Sequence, residues 1–201
     1  MLLAACGSAP PAPEAPAKQE AAADPNAPAA PVEPPVPPEA VQKFDQAVAL
    51  MSGGEAASAE REFRALADAY PTYSGPLLNL AILQVKGGRF ADAETSLRAA
   101  VDRNGSNAPA FNQLGILYRK LGRFKEADVA YLRAVEIDPD YAIAYLNLGV
   151  LCDLYLQQPE RALEAYERYL ALAGTPDEKV NGWVTELKKR LGSEPRAARA
   201  Q

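Results

Sequence analysis

From residue 40 onward the apolar positions return at helical spacing. Phe111, Leu114, Leu117 and Tyr118 mark one stripe, and Ala127, Ala130, Tyr131 and Ala134 mark a second. Steps of three and four residues place each set on one face of an α-helix. Gly122 stands between the stripes, where one helix must stop and turn. Pro139 closes the second, because proline cannot continue a helix. The whole pattern recurs. Leu80, Leu114 and Leu148 are 34 residues apart, as are Gly54, Gly88 and Gly122. Ala59, Ala93 and Ala127 keep that step and Ala162 follows after 35, as Tyr166 follows Phe63, Leu97 and Tyr131. Pro71, Gly105, Pro139 and Gly174 mark the ends of the units. One period shared by many columns predicts four helix pairs, 40–73, 74–107, 108–141 and 142–176. The fourth carries one extra residue in its turn, near Gln157-Gln158-Pro159. A single pair cannot bury both stripes, so stacking must supply the core.

Past the last unit, Thr175-Pro176-Asp177-Glu178 reads as a helix start, with a cap, a proline in the first turn and a glutamate three residues after the cap. Val180, Trp183, Val184, Leu187 and Leu191 then form one stripe, ended by Gly192. A helix over 177–192 is expected to seal the final repeat, with Trp183 packed against it. Residues 193–201 read as a frayed tail.

The front of the chain has no such pattern. Residues 1–39 hold 11 of the 18 prolines and 12 alanines, and no aromatic residue. Beyond Leu3 their only large apolar residues are Val32 and Val36, too few to offset the entropy of ordering the segment. Residues 7–39 therefore read as a disordered Pro/Ala-rich linker, and Pro34-Pro35-Val36-Pro37-Pro38 favours extended polyproline II. Most of the acidity sits here. Five carboxylates against Lys18 give −4 of the chain's −5.

Composition narrows the chemistry. There is no histidine, which removes the usual general base near neutral pH and the commonest metal ligand. A net charge of −5 argues against a nucleic-acid partner. No apolar run reaches the ~18 residues of a membrane-spanning helix. A glycine-rich phosphate loop, a metal-ligand cluster and a nucleophile elbow are all missing. The reading is therefore a non-enzyme with no cofactor, no metal and no small-molecule substrate. Exposed carboxylates such as Glu160, Glu164 and Glu167 are expected to be solvated or paired with Arg161 and Arg168 along their own helix. Cys152 falls on an inward face and reads as a buried, inert thiol.

The repeat columns resemble the tetratricopeptide repeat family. The third unit carries them most fully, with Phe111, Leu114-Gly115, Tyr118, Ala127, Tyr131 and Pro139. The fourth has Tyr145, Leu148-Gly149, Cys152, Ala162, Tyr166 and Gly174. The first is degenerate, with Gln46-Ala47 in the Leu-Gly columns. The resemblance implies an all-α fold, a right-handed α-solenoid of four helix pairs plus a C-terminal capping helix behind the disordered tail. It also implies a concave groove lined by the first helix of each unit, where a protein or peptide segment binds. Carried onto this chain, the groove columns hold Phe44, Val48 and Met51 in the first unit. The second unit supplies Leu78, Asn79, Ile82, Val85 and Lys86, and the third Asn112, Gln113, Ile116, Arg119 and Lys120. Leu146, Asn147, Val150, Asp153 and Leu154 come from the fourth. The amides could bond a peptide backbone and the cations could meet carboxylates. Val48, Ile82, Ile116 and Val150 stand where the family's carboxylate clamp would hold asparagine, which argues against a chaperone-tail binder.

At the start, Leu3-Ala4-Ala5-Cys6 resembles the lipobox of bacterial lipoproteins, in which the cysteine is lipidated and becomes the new N-terminus. Five residues precede Cys6 and none is basic, so residues 1–6 read as the remnant of a signal whose basic start and apolar stretch lie upstream or have been trimmed. The resemblance implies a membrane anchor through Cys6, export, and placement at the outer membrane facing the periplasm. Together the two resemblances suggest an envelope adaptor that helps assemble a pilus, a secretion channel or a cell-wall complex. The alternative is a soluble cytoplasmic co-chaperone or regulator without an anchor.

Overall fold

The computed structural model describes residues 36–193, and among them nine α-helices and no strand. They pair in chain order as α1 (Pro38–Ser52) with α2 (Ala56–Ala69), α3 (Gly75–Lys86) with α4 (Phe90–Arg103), α5 (Ala108–Lys120) with α6 (Phe124–Ile137), and α7 (Ala142–Leu154) with α8 (Pro159–Leu172). The ninth, α9 (Glu178–Ser193), packs on α8. The expected four pairs and closing helix are therefore present, as an α-solenoid. Cys6 and most of the Pro/Ala-rich linker lie outside the described residues.

Local chemistry sets the helix ends. Proline occupies the first turn of α1, α3, α5 and α8, where its missing N–H would have had no partner anyway. This corrects the expected linker boundary: α1 begins at Pro38, two residues ahead of residue 40. Asn107 caps α5 by accepting from Ala110 N at 3.0 Å, while its Nδ2 donates to Ser74 Oγ at 2.9 Å and ties the start of α5 to the start of α3. At α9 the cap is Asp177, not the Thr175 expected from the motif. Asp177 Oδ1 accepts from Val180 N at 3.1 Å and Oδ2 from Tyr169 Oη at 3.0 Å, which fastens the helix start to α8. The turns inside the first three pairs place Gly54, Gly88 and Gly122 at φ of 83°, 72° and 73°. The extra residue of the fourth turn puts Gln157 at φ 55°, a strained choice for a residue with a Cβ.

Small residues let the paired helices close. A Cβ on Gly115 would stand 2.4 Å from the Tyr131 ring, and one on Gly149 would stand 2.5 Å from the Tyr166 ring. In the second pair the same two positions hold Ala81 and Leu97, so a larger first residue meets a smaller second one. Tyr131, Tyr166, Phe63, Leu97, Leu117 and Leu151 are all fully buried, each contributing about 1.5–3 kcal/mol of transfer free energy.

The stack is asymmetric. Successive first helices touch, α1 on α3, α3 on α5 and α5 on α7. No Cα of one second helix comes within 8 Å of the next. First helices therefore line the inner curve and second helices fan out on the outer one. Clefts of about 640 Å³ and about 500 Å³ open on the outer side, the first lined by Leu132, Tyr145 and Arg168 and the second by Phe111, Tyr118 and Val129. Long side chains bridge the wide outer gap. Arg89 pairs with Glu60, Arg123 with Glu94 at 2.7 Å, and Arg161 with Asp128 at 2.8 Å. The three acids are 34 residues apart, one in each of the first three repeats.

Candidate functional site: the inner face

The inner face is built from α1, α3, α5 and α7. Its central residues, Ile82, Ile116 and Val150, are half-buried and 34 residues apart, so they form one aliphatic row across three repeats. Ile116 and Val150 rest on the core below, as do Leu78 and Leu146. Phe44 is drawn into an aromatic group instead, 5.7 Å from Phe63 and 5.3 Å from Tyr73 between ring centres. Lys86 and Lys120 are exposed near the ends of α3 and α5, while Gln113 and Arg119 are half-buried.

The amides are more engaged than the sequence suggests. Asn112 is 2 % exposed and accepts from Asn147 Nδ2 at 2.9 Å. The two residues thus bridge α5 to α7. Asn79 donates to Gly75 O, 3.1 Å away in its own helix. The expectation of a row of free amides is corrected for Asn112, whose burial removes it from a ligand's reach. The reason is register: α5 and α7 touch, and an amide buried in the seam takes its partner from inside it, here the amide of Asn147. Asp153, at the end of the row, pairs with Arg190 of α9 at 2.9 Å.

Charge is spent differently on the two faces. On the outer face Glu60 and Glu94 are held below the ordinary carboxylate range by hydrogen bonds from Arg89 and Arg123 respectively, against the upward push of burial. Arg161 and Arg168 reach across repeats to Asp128 and Asp140, and Glu167 binds Lys188. This corrects the expected pairing of those arginines along their own helix. The gap between second helices is wider than a helical step and suits the reach of arginine. On the inner face Lys86, Arg119 and Lys120 make no ion pair among the described residues.

Two further side chains fall as the sequence indicated. Cys152 is a free thiol with no exposed surface, and burial pushes its pKa up to about 11, so it is protonated at neutral pH. Trp183 stacks 5.3 Å from Tyr166, with Lys179 Nζ 5.0 Å over its ring. No described helix is long and apolar enough to cross a membrane, and no described cluster of acidic and cysteine residues could hold a metal.

Sequence reasoning names Tyr131 but passes over Tyr155. Tyr131 reads as a core ring and is one; burial pushes its hydroxyl pKa up, against the pull of the neighbouring Arg119 guanidinium. Tyr155, just past α7, is 42 % exposed and stacks on Phe124 at 4.7 Å. The repeat spacing gave no signal for Tyr155, because it lies in the irregular fourth turn. The outer acids did carry one, in the 34-residue step of Glu60, Glu94 and Asp128.

Comparison with known proteins agrees with this geometry. The family described as "Tetratricopeptide repeat" matches residues 50–115, and that described as "TPR repeat" matches residues 115–152. Among solved structures, the chain is similar to Pseudomonas aeruginosa pilF, with 21 % identity over 75 % of this chain and 69 % of that one and a TM-score of 0.67. A thermophilic TPR protein of Thermus thermophilus, TTC0263, gives 22 % identity over 76 % and 83 % of the two chains, TM-score 0.62. MamA gives 23 % identity over 76 % and 88 %, TM-score 0.60. No curated protein matched.

Proposed function

Because the chain belongs to the tetratricopeptide repeat family, and so is a protein-interaction scaffold, we propose that it is a lipid-anchored adaptor of a bacterial envelope. Its inner face holds a segment of another protein. The observation that carries the binding face is the asymmetry of charge and packing. The outer arginines are committed to the preceding repeat, while the inner face keeps an aliphatic row flanked by the exposed Lys86 and Lys120, which make no ion pair among the described residues. An extended or helical segment can lay apolar side chains on Ile82, Ile116 and Val150. The Leu3-Ala4-Ala5-Cys6 motif supports the anchor, and a proline-rich stretch behind it suits a tether. Several acyl chains on one cysteine hold a protein to a bilayer where a single chain does not.

Two measurements test the parts separately. A photo-crosslinking residue placed at Ile82 in the native host captures a protein that the same residue at the outward Val129 does not. Equal capture at both positions would count against the inner face. Cys6→Ser abolishes incorporation of an alkyne-labelled fatty acid and releases the chain from the membrane fraction; retention in that fraction would count against the anchor.

A further inference from the structure

The inner face carries two rows side by side. Ile82, Ile116 and Val150 form the first. Lys86, Lys120 and Leu154 form the second, each four residues past its counterpart and so one turn along the same face of α3, α5 or α7. The three are the last residues of their helices, and α3, α5 and α7 touch in succession, so the second row borders the first. Both lysines are exposed, and Leu154 is 66 % exposed.

Charge sets these helices apart from the outer ones. α3 and α5 contain no acid, whereas α2, α4, α6 and α8 each mix acids with arginines. Lys86 and Lys120 make no ion pair among the described residues. A cation suits the last turn of a helix, but that leaves its ammonium in water, free to meet a carboxylate. Over α7 the character changes. Leu154 takes the lysine's place in the row, and Asp153 before it is held by Arg190. The third place therefore calls for an apolar side chain.

Spacing selects the geometry of what lies across these rows. Neighbouring packed helices stand roughly 8–10 Å apart. A polyproline II segment has three residues per turn and rises about 3.1 Å per residue, so every third side chain points the same way about 9.3 Å further on. A β-strand turns its side chains over at every residue and cannot keep both rows in step. Resting on the inner-face reading above, we propose that the partner segment is an acidic polyproline II stretch with a three-residue period. Its apolar side chains, three apart, sit on Ile82, Ile116 and Val150. The residues next to them bring carboxylates to Lys86 and Lys120 and an apolar group to Leu154. The direction of the segment follows, because the row is cationic over α3 and α5 and apolar over α7.

The test uses the full chain and the peptide acetyl-Val-Glu-Pro-Val-Glu-Pro-Val-Leu-amide, in which each proline holds the residue before it extended. The chain has four isoleucines, few enough for each methyl signal to be followed by NMR. Ile82 and Ile116 lie on the row, and Ile137, at the end of the outer helix α6, is the control. The expected result is a saturable shift of Ile82 and Ile116 with Ile137 unmoved. Affinity is about two- to tenfold weaker when glutamine replaces glutamate in the peptide. The same loss is expected for Lys86→Gln with Lys120→Gln, exposed positions whose change spares the fold. Binding is also weaker for acetyl-Val-Glu-Ala-Pro-Val-Glu-Ala-Pro-Val-Leu-amide, whose four-residue period falls out of step. Equal affinity for the glutamate and glutamine peptides, or for the two periods, overturns the proposal, as does the lack of any shift at Ile82 and Ile116. In the host, Lys86→Gln with Lys120→Gln is combined with the crosslinker at Ile82. A weakened crosslink supports the acidic segment. An unchanged one overturns it and leaves the inner face standing. If the unmodified protein gives no crosslink at Ile82, the inner-face reading falls, and the peptide titration alone decides the chemistry of the two rows.

Discussion

Gly115 is the place where one added methyl group has the most to say about this fold. A Cβ there would lie 2.4 and 2.5 Å from two carbons of the Tyr131 ring, against the roughly 3.5–4.0 Å of comfortable carbon contact. The ring has no exposed surface, so it cannot swing into solvent. Forcing α5 and α6 apart by about 1 Å carries the overpacking cost of about 1–3 kcal/mol, toward its upper end. Alanine returns about 0.5–1 kcal/mol through its better helix propensity. Gly115→Ala should therefore destabilise by about 1–2 kcal/mol. The second pair already shows the remedy, since Ala81 faces Leu97 there. With Tyr131→Leu in place, the same Gly115→Ala change should reverse sign and stabilise by about 0.5–1 kcal/mol. Urea unfolding of the full chain, followed by far-ultraviolet circular dichroism on the wild type, both single variants and the double variant, measures the coupling. The reasoning fails if Gly115→Ala has the same sign in both backgrounds.

Other consequences can be checked with similar means. Gln157→Gly, which relieves a side chain held at φ 55°, should stabilise by about 1 kcal/mol in the same unfolding assay. Asp177→Ala removes the cap of α9 and should lower the unfolding midpoint, and the change should appear first in the fluorescence of Trp183, the only tryptophan, where it packs on Tyr166. Glu94 is depressed by Arg123, so its contribution is fully present above its ordinary value of 4.5 and is lost as pH falls below that. Glu94→Gln should lower stability at pH 7 by about 0.5–1 kcal/mol and flatten the loss between pH 5 and about pH 3 in acid titrations. Cys152, protonated and without exposed surface, should resist a thiol reagent at pH 8 in the folded chain and react fully in urea; fast native labelling would contradict its burial.

The helix pairs were legible because they rest on spacing. Leu114, Gly115, Tyr131 and Ala127 each state a packing requirement that any stack of this kind must meet, and the 34-residue step repeats it until chance is excluded. The inner face was legible only by column. Ile82, Ile116 and Val150 fell on one row, but whether an amide in the next column faces outward depends on how closely neighbouring helices approach. Asn112 was read as available and is sealed in the α5–α7 seam. Arg161 was read as a partner for its own helix and instead reaches Asp128, because the distance between outer helices is a tertiary quantity. Tyr155 escaped because the fourth turn breaks the period that exposed everything else.

The rungs joining the outer helices give this stack a beginning and an end. Each interior repeat offers an acid to its successor and an arginine to its predecessor. Where the fourth repeat would offer the acid it carries Leu163, half-buried against the core, on the helix that α9 covers. A further repeat appended after residue 176 would find nothing to clasp. A second copy of residues 108–141, spliced in after Ile137-Asp138-Pro139-Asp140-Tyr141, would meet Asp128 with its own arginine and hand an aspartate on to Arg161. Length can thus be added in the middle of this protein, one module at a time, but not at its tail.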